Sequence, residues 1–163
     1  MSAVIYGGSF DPIHEAHKMI ITALSQRFDT VLVVLAKYKK NMMFTDHARC
    51  ELIEEWLSMT DLKNVELVRD ELENEKLSKS YELVMHLKKR IVKELYLCIG
   101  YDQYINLKNW YRYEELLKEV KLVVVDRNGK CDDDSVIRLK LRGYSDISST
   151  KIREQIKQLL LLT

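Results

Sequence analysis

Hydrophobic residues along the chain fall into two alternating kinds of segment. Short runs of consecutive apolar residues, such as residues 30–36 (TVLVVLA), are typical of parallel strands that are covered on both faces. Between these runs, apolar residues recur with the period of a helix, as they do from residue 15 to residue 27. We predict strands at residues 3–6, 30–36, 65–68, 95–99, 122–125 and 137–141. We predict helices at residues 15–27, from Thr45 or Asp46, from Ser80, at 113–118 and at 148–161.

This order of elements predicts the fold class. Strands that alternate with helices form βαβ units, and such units build an α/β fold with a single doubly wound, Rossmann-like parallel sheet. We find no internal repeat, low-complexity segment or linker, so we expect residues 1–163 to form one domain. Residues 69–79 are polar, and we interpret them as a loop. Ligands of such a fold bind at the carboxyl ends of the strands.

Composition and charge exclude several classes of function. The chain has 26 Lys and Arg against 25 Asp and Glu, which gives no general attraction to nucleic acid or to a membrane surface. Its three cysteines are scattered and form no Cys-x-x-Cys pair, so neither a zinc site nor a disulfide framework is expected. No stretch approaches the length of a membrane span, and the first residues carry no leader pattern. We therefore expect a soluble, cytoplasmic protein.

The first strand, loop and helix together form a candidate phosphate site. Gly7 and Gly8 follow the strand, where the backbone can turn sharply or approach a ligand closely. The positive end of the next helix points at the space above the strand, where a phosphate fits. His14 and His17 lie at the same place and can donate hydrogen bonds to phosphate oxygens. The alternative is an ordinary turn with two exposed histidines.

Residues 8–17 read Gly-Ser-Phe-Asp-Pro-x-His-x-x-His, which resembles the signature of the nucleotidyltransferase superfamily. Members of that superfamily move a nucleotidyl group from ATP or CTP onto an acceptor phosphate. The resemblance implies the nucleotidyltransferase fold, with His14 and His17 as catalytic residues. It also implies that ATP binds at Gly7, Gly8, Ser9, Phe10 and Ala16. Ala16 stands where the family usually has a glycine that packs close to the nucleotide base, so its methyl group bears on the fit of ATP.

A second motif lies near the other end of the chain. Residues 146–153 (DISSTKIR) resemble the second signature of the superfamily, Ile-Ser-Ser-Thr-x-Ile-Arg. Hydroxyl groups and open amides at the start of a helix, followed by an arginine that can fork onto phosphate oxygens, suit a phosphate clamp. The resemblance implies that Ser148, Ser149 and Thr150 bind ATP and that Arg153 acts in catalysis. The alternative is a plain helix cap with a surface arginine.

A basic segment follows the second predicted strand. Residues 37–49 (KYKKNMMFTDHAR) resemble the Lys-Lys-x-x-Phe-Thr-x-x-x-Arg of pantetheine-phosphate adenylyltransferases, with one residue inserted. The resemblance implies that a mobile lysine, either Lys39 or Lys40, covers the phosphates during catalysis. A solvated basic loop is the alternative interpretation, and the inserted residue leaves open which of the two lysines acts.

A third group of residues concerns the acceptor. Gly100-Tyr101-Asp102 followed by Trp110-Tyr111 resembles Gly-Ala-Asp-Ser…Trp-Tyr in nicotinate-nucleotide adenylyltransferases, and Ser80-Tyr81 resembles a Ser-Tyr-Thr that opens a helix there. The resemblance implies that Ser80, Tyr81, Asp102 and Trp110 bind the substrate. Trp110 can stack on a pyridine ring, and Tyr81 can bind the carboxylate or amide of that ring. Asp102 can hold a ribose hydroxyl or a magnesium-bound water. The alternative for Trp110 is core packing.

Taken together, the resemblance implies an adenylyltransferase that moves AMP from ATP onto the phosphate of nicotinate or nicotinamide mononucleotide, with release of pyrophosphate. The nucleophile is already an anion, so positioning and charge stabilisation carry the catalysis, and Mg²⁺ accompanies ATP. The expected partners are therefore ATP and a small phosphorylated acceptor. Two alternatives stay open, a pantetheine-phosphate adenylyltransferase and a non-catalytic nucleotide-binding protein of the same fold. Both a monomer and a homo-oligomer are compatible with the sequence.

Overall fold

The computed structural model describes residues 1–91, 94–141 and 148–162, and it contains a six-stranded sheet. The strands run in the order β3-β2-β1-β4-β5-β6, and all five neighbouring pairs are parallel. Their bounds are β1 Ser2–Gly8, β2 Thr30–Leu35, β3 Val65–Val68, β4 Glu94–Gly100, β5 Lys121–Asp126 and β6 Ile137–Lys140. The doubly wound parallel sheet predicted from the sequence is confirmed.

Helices connect these strands. In the described residues they are α1 Glu15–Arg27, α2 Asp46–Ser58, α3 Asp70–Glu73, α4 Ser80–Lys88, α5 Tyr101–Ile105, α6 Tyr113–Glu119 and α7 Ser149–Leu161, with short 3₁₀ helices at Glu75–Ser78 and Leu107–Asn109. Helix α1 has the bounds that its apolar period predicts, because Ile20, Ile21 and Leu24 face the sheet and are buried. Helix α7 differs, since none of its described residues is buried.

The sheet separates two apolar layers. Alternate residues of β1 point to opposite faces, so Ala3 and Ile5 belong to one core cluster whereas Val4 and Tyr6 belong to the other. Because both faces of the sheet are covered, its central strands are nearly continuous apolar runs. The strand register brings the carboxyl ends of neighbouring strands together. Gly8 of β1 pairs with Leu35 of β2, and Gly100 of β4 pairs with Val125 of β5.

Chain order reverses between β1 and β4. Strands β2 and β3 lie on one side of β1, and β4, β5 and β6 lie on the other. The connections that leave β1 and β4 therefore run in opposite directions and leave a crevice between them. This topological switch point is where ligands bind in open α/β sheets.

Three local features differ from what the sequence predicts. Residues 69–79 are not a plain loop, because they contain α3 and a 3₁₀ helix. Helix α5 was not predicted, since five residues are too few for an apolar period to show. In α2, the apolar period predicts that Leu52 faces the core, but Leu52 is 37% exposed, and Arg49 and Cys50 are buried instead.

The remaining global expectations concern cysteines and membranes. All three cysteines are free thiols, and all three are buried. Cys98 belongs to a core cluster, as expected of a small apolar side chain in a central strand. Among the described residues, no helix combines the length and the apolar character that spanning a bilayer requires.

Candidate active site

A crevice of about 580 Å³ opens at the switch point between β1 and β4. Its floor is formed by Gly7 and Gly8 at the end of β1 and by Gly100 at the end of β4. Its walls are contributed by His17 of α1, by α5, and by the loop that follows β5. Four residues predicted for the site therefore line one cavity: Gly7, Gly8, His17 and Asp102.

A larger cavity, of about 830 Å³, lies beside β5 and β6. Its walls are mostly apolar and include Tyr104, Leu107 and Leu117. None of the predicted site residues that the structure describes lines it. Size alone would favour this cavity, but phosphate chemistry needs donors and cations, so we take the switch-point crevice as the candidate active site.

The buried ring of Phe10 packs against the glycine-bearing loop from the protein interior. A Cβ atom at Gly8 would lie 3.3 Å from two carbons of the Phe10 ring, so a larger residue there would require the ring to shift by a few tenths of an ångström. The Phe10 ring is buried and packs edge-on against Tyr6 and His17, at centroid distances of 5.6 and 4.8 Å. Phe10 therefore supports the crevice from inside the protein, and its backbone has an unusual φ of 45°.

His14 and His17 form a reciprocal cap at the start of α1. His14 is the N-cap residue, and its Nδ1 accepts a hydrogen bond from the His17 amide at 3.5 Å. In return, Nδ1 of His17 accepts from the His14 amide at 3.3 Å. The two rings stack with their centroids 3.7 Å apart. Since both Nδ1 atoms act as acceptors, the neutral rings carry their protons on Nε2, which leaves each histidine one outward donor.

Burial keeps both imidazoles neutral. Desolvation, helped by the positive charge of Arg127, lowers the pKa of His14 from 6.5 to about 4. Desolvation also lowers the pKa of His17, to about 3, with further contributions from His14 and Arg127. At neutral pH the histidines therefore offer N–H donors rather than positive charges.

Asp11 ties together three parts of the chain around the crevice. Its carboxylate is buried and accepts hydrogen bonds from the amides of Met43 and Phe44, at 2.9 and 2.8 Å. The guanidinium of Arg153 lies 3.5 Å from the same carboxylate and donates to the Asp11 carbonyl at 2.7 Å. The loop before α1, the loop before α2 and the start of α7 are thus held by one residue.

The second predicted motif meets the first at this point. Ser148 caps α7 by accepting a hydrogen bond from the Lys151 amide, and the Ser149 hydroxyl donates to the Pro12 carbonyl at 3.1 Å. Thr150 accepts from the Arg153 guanidinium at 3.1 Å. The structure therefore brings together two motifs that are more than a hundred residues apart in the chain. Asp146 and Ile147 of the same motif lie outside the described residues.

Arg49 holds the loops of the first half of the sheet, a role that the sequence did not reveal. Its side chain is fully buried and donates to the carbonyls of Ser9 and Ala36, at 2.8 and 2.7 Å. It also forms an ion pair with Asp46. Ser9 and Ala36 follow β1 and β2, so Arg49 fixes the distance between the two strand ends. Burial of an arginine is stabilising only with such complete pairing.

The loop after β5 supplies further residues that the sequence analysis missed. The buried carboxylate of Asp126 accepts from the amides of Lys130 and Cys131, at 3.0 and 2.9 Å. Burial alone would raise the pKa of this carboxyl, but hydrogen bonds from backbone amides of the loop hold it below its ordinary value. The curled loop places Arg127 and Lys130 on the wall of the crevice. The sequence signal was only an Asp-Arg pair after an apolar run.

Comparison with known proteins agrees with this geometry. The model of the cytidylyltransferase-like family matches residues 5–155. The chain belongs to the cytidylyltransferase-like family. Two similar relatives are the probable nicotinate-nucleotide adenylyltransferases of Aliarcobacter butzleri and Campylobacter fetus, which are 36% and 35% identical to this chain. Each match covers 96% of this chain and 88% or 87% of the relative.

Solved structures of the same kind share the fold of this family member. The nicotinic acid mononucleotide adenylyltransferase of Plasmodium falciparum, complexed with NaAD, matches with a TM-score of 0.79 at 22% identity. The match covers 94% of this chain and 82% of that one. A putative nicotinate-nucleotide adenylyltransferase from Vibrio parahaemolyticus matches with a TM-score of 0.71 at 23% identity, over 96% of this chain and 87% of the other. At these identities the likeness establishes the fold.

Not every predicted site residue of this cytidylyltransferase-like chain reaches the crevice. Lys39 and Lys40 are exposed, and neither lines the cavity in the part of the chain that is described. Ala16 is fully buried, so its methyl group points into the protein rather than into the open crevice. Ser9 is exposed, and its backbone carbonyl is engaged by Arg49.

Of the four residues predicted for the acceptor, only Asp102 lines the crevice. Ser80 and Tyr81 form the first turn of α4, and Asp102 lines the cavity from α5. Trp110 is half-buried and packs, with Tyr81 and Tyr101, against the core cluster on one face of the sheet. Tyr101 also lines the crevice. The interpretation of Trp110 as a packing residue and its interpretation as a stacking surface are thus compatible, since part of its side chain is exposed.

Proposed function

We propose that this chain is an adenylyltransferase that transfers AMP from ATP to the phosphate of nicotinate mononucleotide and releases pyrophosphate, a step of NAD biosynthesis. The single observation that carries the proposal is its relationship, over nearly its whole length, to probable nicotinate-nucleotide adenylyltransferases. The crevice supports it, because glycine backbone, the His17 imidazole and two cations line one cavity at the switch point, with the His14 ring stacked against His17.

The reaction needs no covalent intermediate on the enzyme. An oxygen of the mononucleotide phosphate attacks the α-phosphorus of ATP, and the bond from that phosphorus to the bridging oxygen of pyrophosphate breaks. The attacking phosphate is an anion at neutral pH, so no residue has to remove a proton from it. Catalysis then depends on in-line positioning and on stabilising the charge that moves onto the leaving pyrophosphate.

The ATP side of the crevice can provide both functions. The first amides of α1 have no acceptor within the helix and point toward the phosphates with the positive end of the helix dipole. The Nε2–H groups of His14 and His17 are fixed by their reciprocal cap, so they meet the phosphates without reorganisation. Arg127 and Lys130 add positive charge from the opposite wall.

The remaining predicted phosphate ligands act from the rim in this proposal. Arg153 is anchored to Asp11, in the loop that follows the crevice floor, and can reach the phosphates only by sharing its guanidinium with that contact. Lys39 and Lys40 are exposed in the segment between β2 and α2, from which a long side chain can swing over bound ATP. We keep both lysines as candidates for the mobile cation.

Mg²⁺ enters the proposal as a companion of ATP. Among the described residues, no group of three or more His, Cys, Asp or Glu side chains is arranged to hold a metal ion. Nucleotide enzymes often bind Mg²⁺ mainly through the phosphates, with one or two carboxylates in addition. Asp102 is exposed on the wall of the crevice and fits that use, either toward a magnesium-bound water or toward a ribose hydroxyl. When bound, the ion neutralises phosphate charge.

The test is pyrophosphate release from ATP with each acceptor in a parallel assay. Nicotinate mononucleotide, nicotinamide mononucleotide and 4′-phosphopantetheine are the three arms, and a reaction without acceptor is the blank. We expect the highest kcat/KM with nicotinate mononucleotide and formation of the dinucleotide as product. Turnover of 4′-phosphopantetheine alone would identify a coenzyme A enzyme instead. ATP binding without turnover in any arm would leave a nucleotide-binding protein.

A further inference from the structure

Two aromatic rings, each covered by a cationic side chain, join the start of α4 to the start of α6. The Lys79 ammonium lies 4.4 Å from the centre of the Tyr111 ring. The rings of Tyr111 and Tyr81 meet edge-on, with their centroids 6.3 Å apart. The Arg112 guanidinium then covers the Tyr81 ring at 4.3 Å. We call Lys79, Tyr111, Tyr81 and Arg112 the cation–aromatic stack.

Arg112 is the residue of the stack with the most constraints. Its guanidinium contacts the Tyr81 ring and also donates two hydrogen bonds to the Glu115 carboxylate, one of them from Nε at 2.9 Å. Its backbone is left-handed, with φ 51° and ψ 42°, a conformation that side-chain-bearing residues rarely adopt. The side-chain contacts thus hold Arg112 in a turn that the backbone alone disfavours, and this turn ends the segment that carries Trp110 and Tyr111.

The stack lies next to the part of the site assigned to the acceptor. Trp110 directly precedes Tyr111, and both Trp110 and Tyr81 pack against the core cluster that also holds Tyr101. Tyr101 lines the crevice. The direction of the exposed Trp110 surface therefore depends on how the stack joins the 110–112 segment to α4.

We propose that Arg112 is a positioning residue for the acceptor. Through Tyr81 and the left-handed turn, it sets the distance between the first turn of α4 and the Trp110 ring, and so the width of the slot that receives a flat pyridine ring. The inference rests on the proposed function, because it takes a pyridine mononucleotide as the acceptor. ATP does not depend on this slot, so loss of Arg112 acts on one substrate only.

The fold offers a matched control for this claim. Lys88 and Glu119 form an ion pair between α4 and α6, away from the cation–aromatic stack. Lys88→Ala removes a contact between the same two helices without touching Tyr81 or Arg112. If Arg112→Ala acts only by weakening the contact between α4 and α6, Lys88→Ala should have the same effect.

The experiment compares initial-rate kinetics of the wild type, Arg112→Ala, Arg112→Lys and Lys88→Ala with ATP and nicotinate mononucleotide. We expect Arg112→Ala to raise KM for the mononucleotide about fivefold or more, because a displaced stacking face loses its ring contact. KM for ATP and kcat should stay within about twofold of the wild type. Arg112→Lys should recover part of the loss, since an ammonium can cover the Tyr81 ring but cannot fork onto Glu115. Lys88→Ala should behave as the wild type.

A second measurement needs no turnover. In a Trp56→Phe background, Trp110 is the remaining tryptophan, and acrylamide quenching of its fluorescence reports its exposure. We expect acrylamide to quench Trp110 more strongly in Arg112→Ala than in the parent protein. Quenching in Lys88→Ala should equal that in the parent. Equal quenching in the two variants, or equal rises of KM for both substrates, would overturn the role of Arg112. A wild type that does not use the mononucleotide would refute the proposed function, and the quenching result would still decide whether Arg112 positions Trp110.

Discussion

The loop between β1 and α1, which follows the crevice floor, and the cation–aromatic stack, which includes a residue predicted for the acceptor, are held in different ways. Around the loop, Asp11 and Arg49 are buried, and each is paired with several backbone groups. The stack lies at the surface, where Tyr111 is 46% exposed and neighbouring side chains hold one another. Buried networks of this kind resist change because losing one partner leaves a polar group unpaired, whereas surface cation–π contacts are worth about 0.5–1 kcal/mol.

This difference separates the two substrates. The nucleotide meets a wall that is already rigid before binding, as charge stabilisation in the transition state requires. The residues proposed to bind the acceptor are positioned by a few weak surface contacts of the cation–aromatic stack. Changes in the first region should therefore affect the stability of the fold or the chemical step, and changes in the second should affect KM for the acceptor.

The largest expected effect concerns the neutral histidines. The pKa values of His14 and His17, about 4 and about 3, lie below 6.5, so the unfolded chain binds more protons as the pH falls. Stability is then lost as the pH drops below 6.5, by about 2 kcal/mol per histidine between pH 7 and pH 5. We expect His17→Gln to lose about 2 kcal/mol less than the wild type over this interval, as measured by urea unfolding.

His47→Gln is the control, because His47 is exposed and pairs only with the exposed Glu51 among the ion pairs found. Its pH dependence should follow that of the wild type. If His17→Gln showed the same pH dependence as the wild type, the histidine would be charged or exposed in the folded protein, and the donor role assigned to it would be lost.

Arg153→Ala should have the next largest effect. In the proposed site Arg153 shares its guanidinium between Asp11 and the ATP phosphates, and a charge-assisted hydrogen bond to a phosphate is worth about 1.5–3 kcal/mol, so ATP affinity should fall about tenfold or more. Global stability should change little, because none of the described residues of α7 is buried. Calorimetric titration with ATP measures the first effect and urea unfolding the second. Unchanged ATP affinity would show that Arg153 only attaches α7 to Asp11 and does not bind ATP.

Trp110→Ala should have the smallest effect, and it should affect binding of the acceptor rather than of ATP. Ring stacking contributes about 0.5–1.5 kcal/mol beyond area burial, so KM for nicotinate mononucleotide should rise several-fold while KM for ATP stays the same. Trp110→Phe should recover part of the loss, since it keeps a ring face. Because Trp110 also packs against the core cluster, the Tm of each variant must be measured alongside. Reduced Tm with unchanged kinetics would assign Trp110 to packing alone.

The sequence predicted the strands of the sheet and their order along the chain well, for a physical reason. A strand such as β2 is buried on both faces, so its apolar run is visible without knowledge of its neighbours. The first motif could be placed because a strand, a glycine loop and a helix are contiguous in the chain. The family resemblance implied only that both motifs serve ATP, and the contacts of Ser149 and Arg153 with residues 11–12 were not predicted, since no local pattern joins segments so far apart.

What could not be predicted depends on tertiary contacts. Arg49 reads as one more charge in a basic segment, and only the fold shows that it is fully buried. The neutral state of His14 and His17 follows from desolvation, which the sequence does not encode locally. Arg127 reaches the crevice because Asp126 curls the loop after β5, and that curl is a backbone arrangement rather than a residue pattern. The single-domain extent over residues 1–163 and the oligomeric state stay predictions.

The most direct test of the candidate active site is the rate of AMP transfer in His17→Ala. The wild type and the variant are compared with ATP labelled at the α-phosphate and nicotinate mononucleotide, and labelled dinucleotide is counted against pyrophosphate released. We expect equal amounts of the two products from the wild type and a kcat about 10²- to 10³-fold lower in a folded His17→Ala, with KM for ATP little changed. Equal kcat in the two proteins would contradict the placement of the reaction in the crevice between β1 and β4.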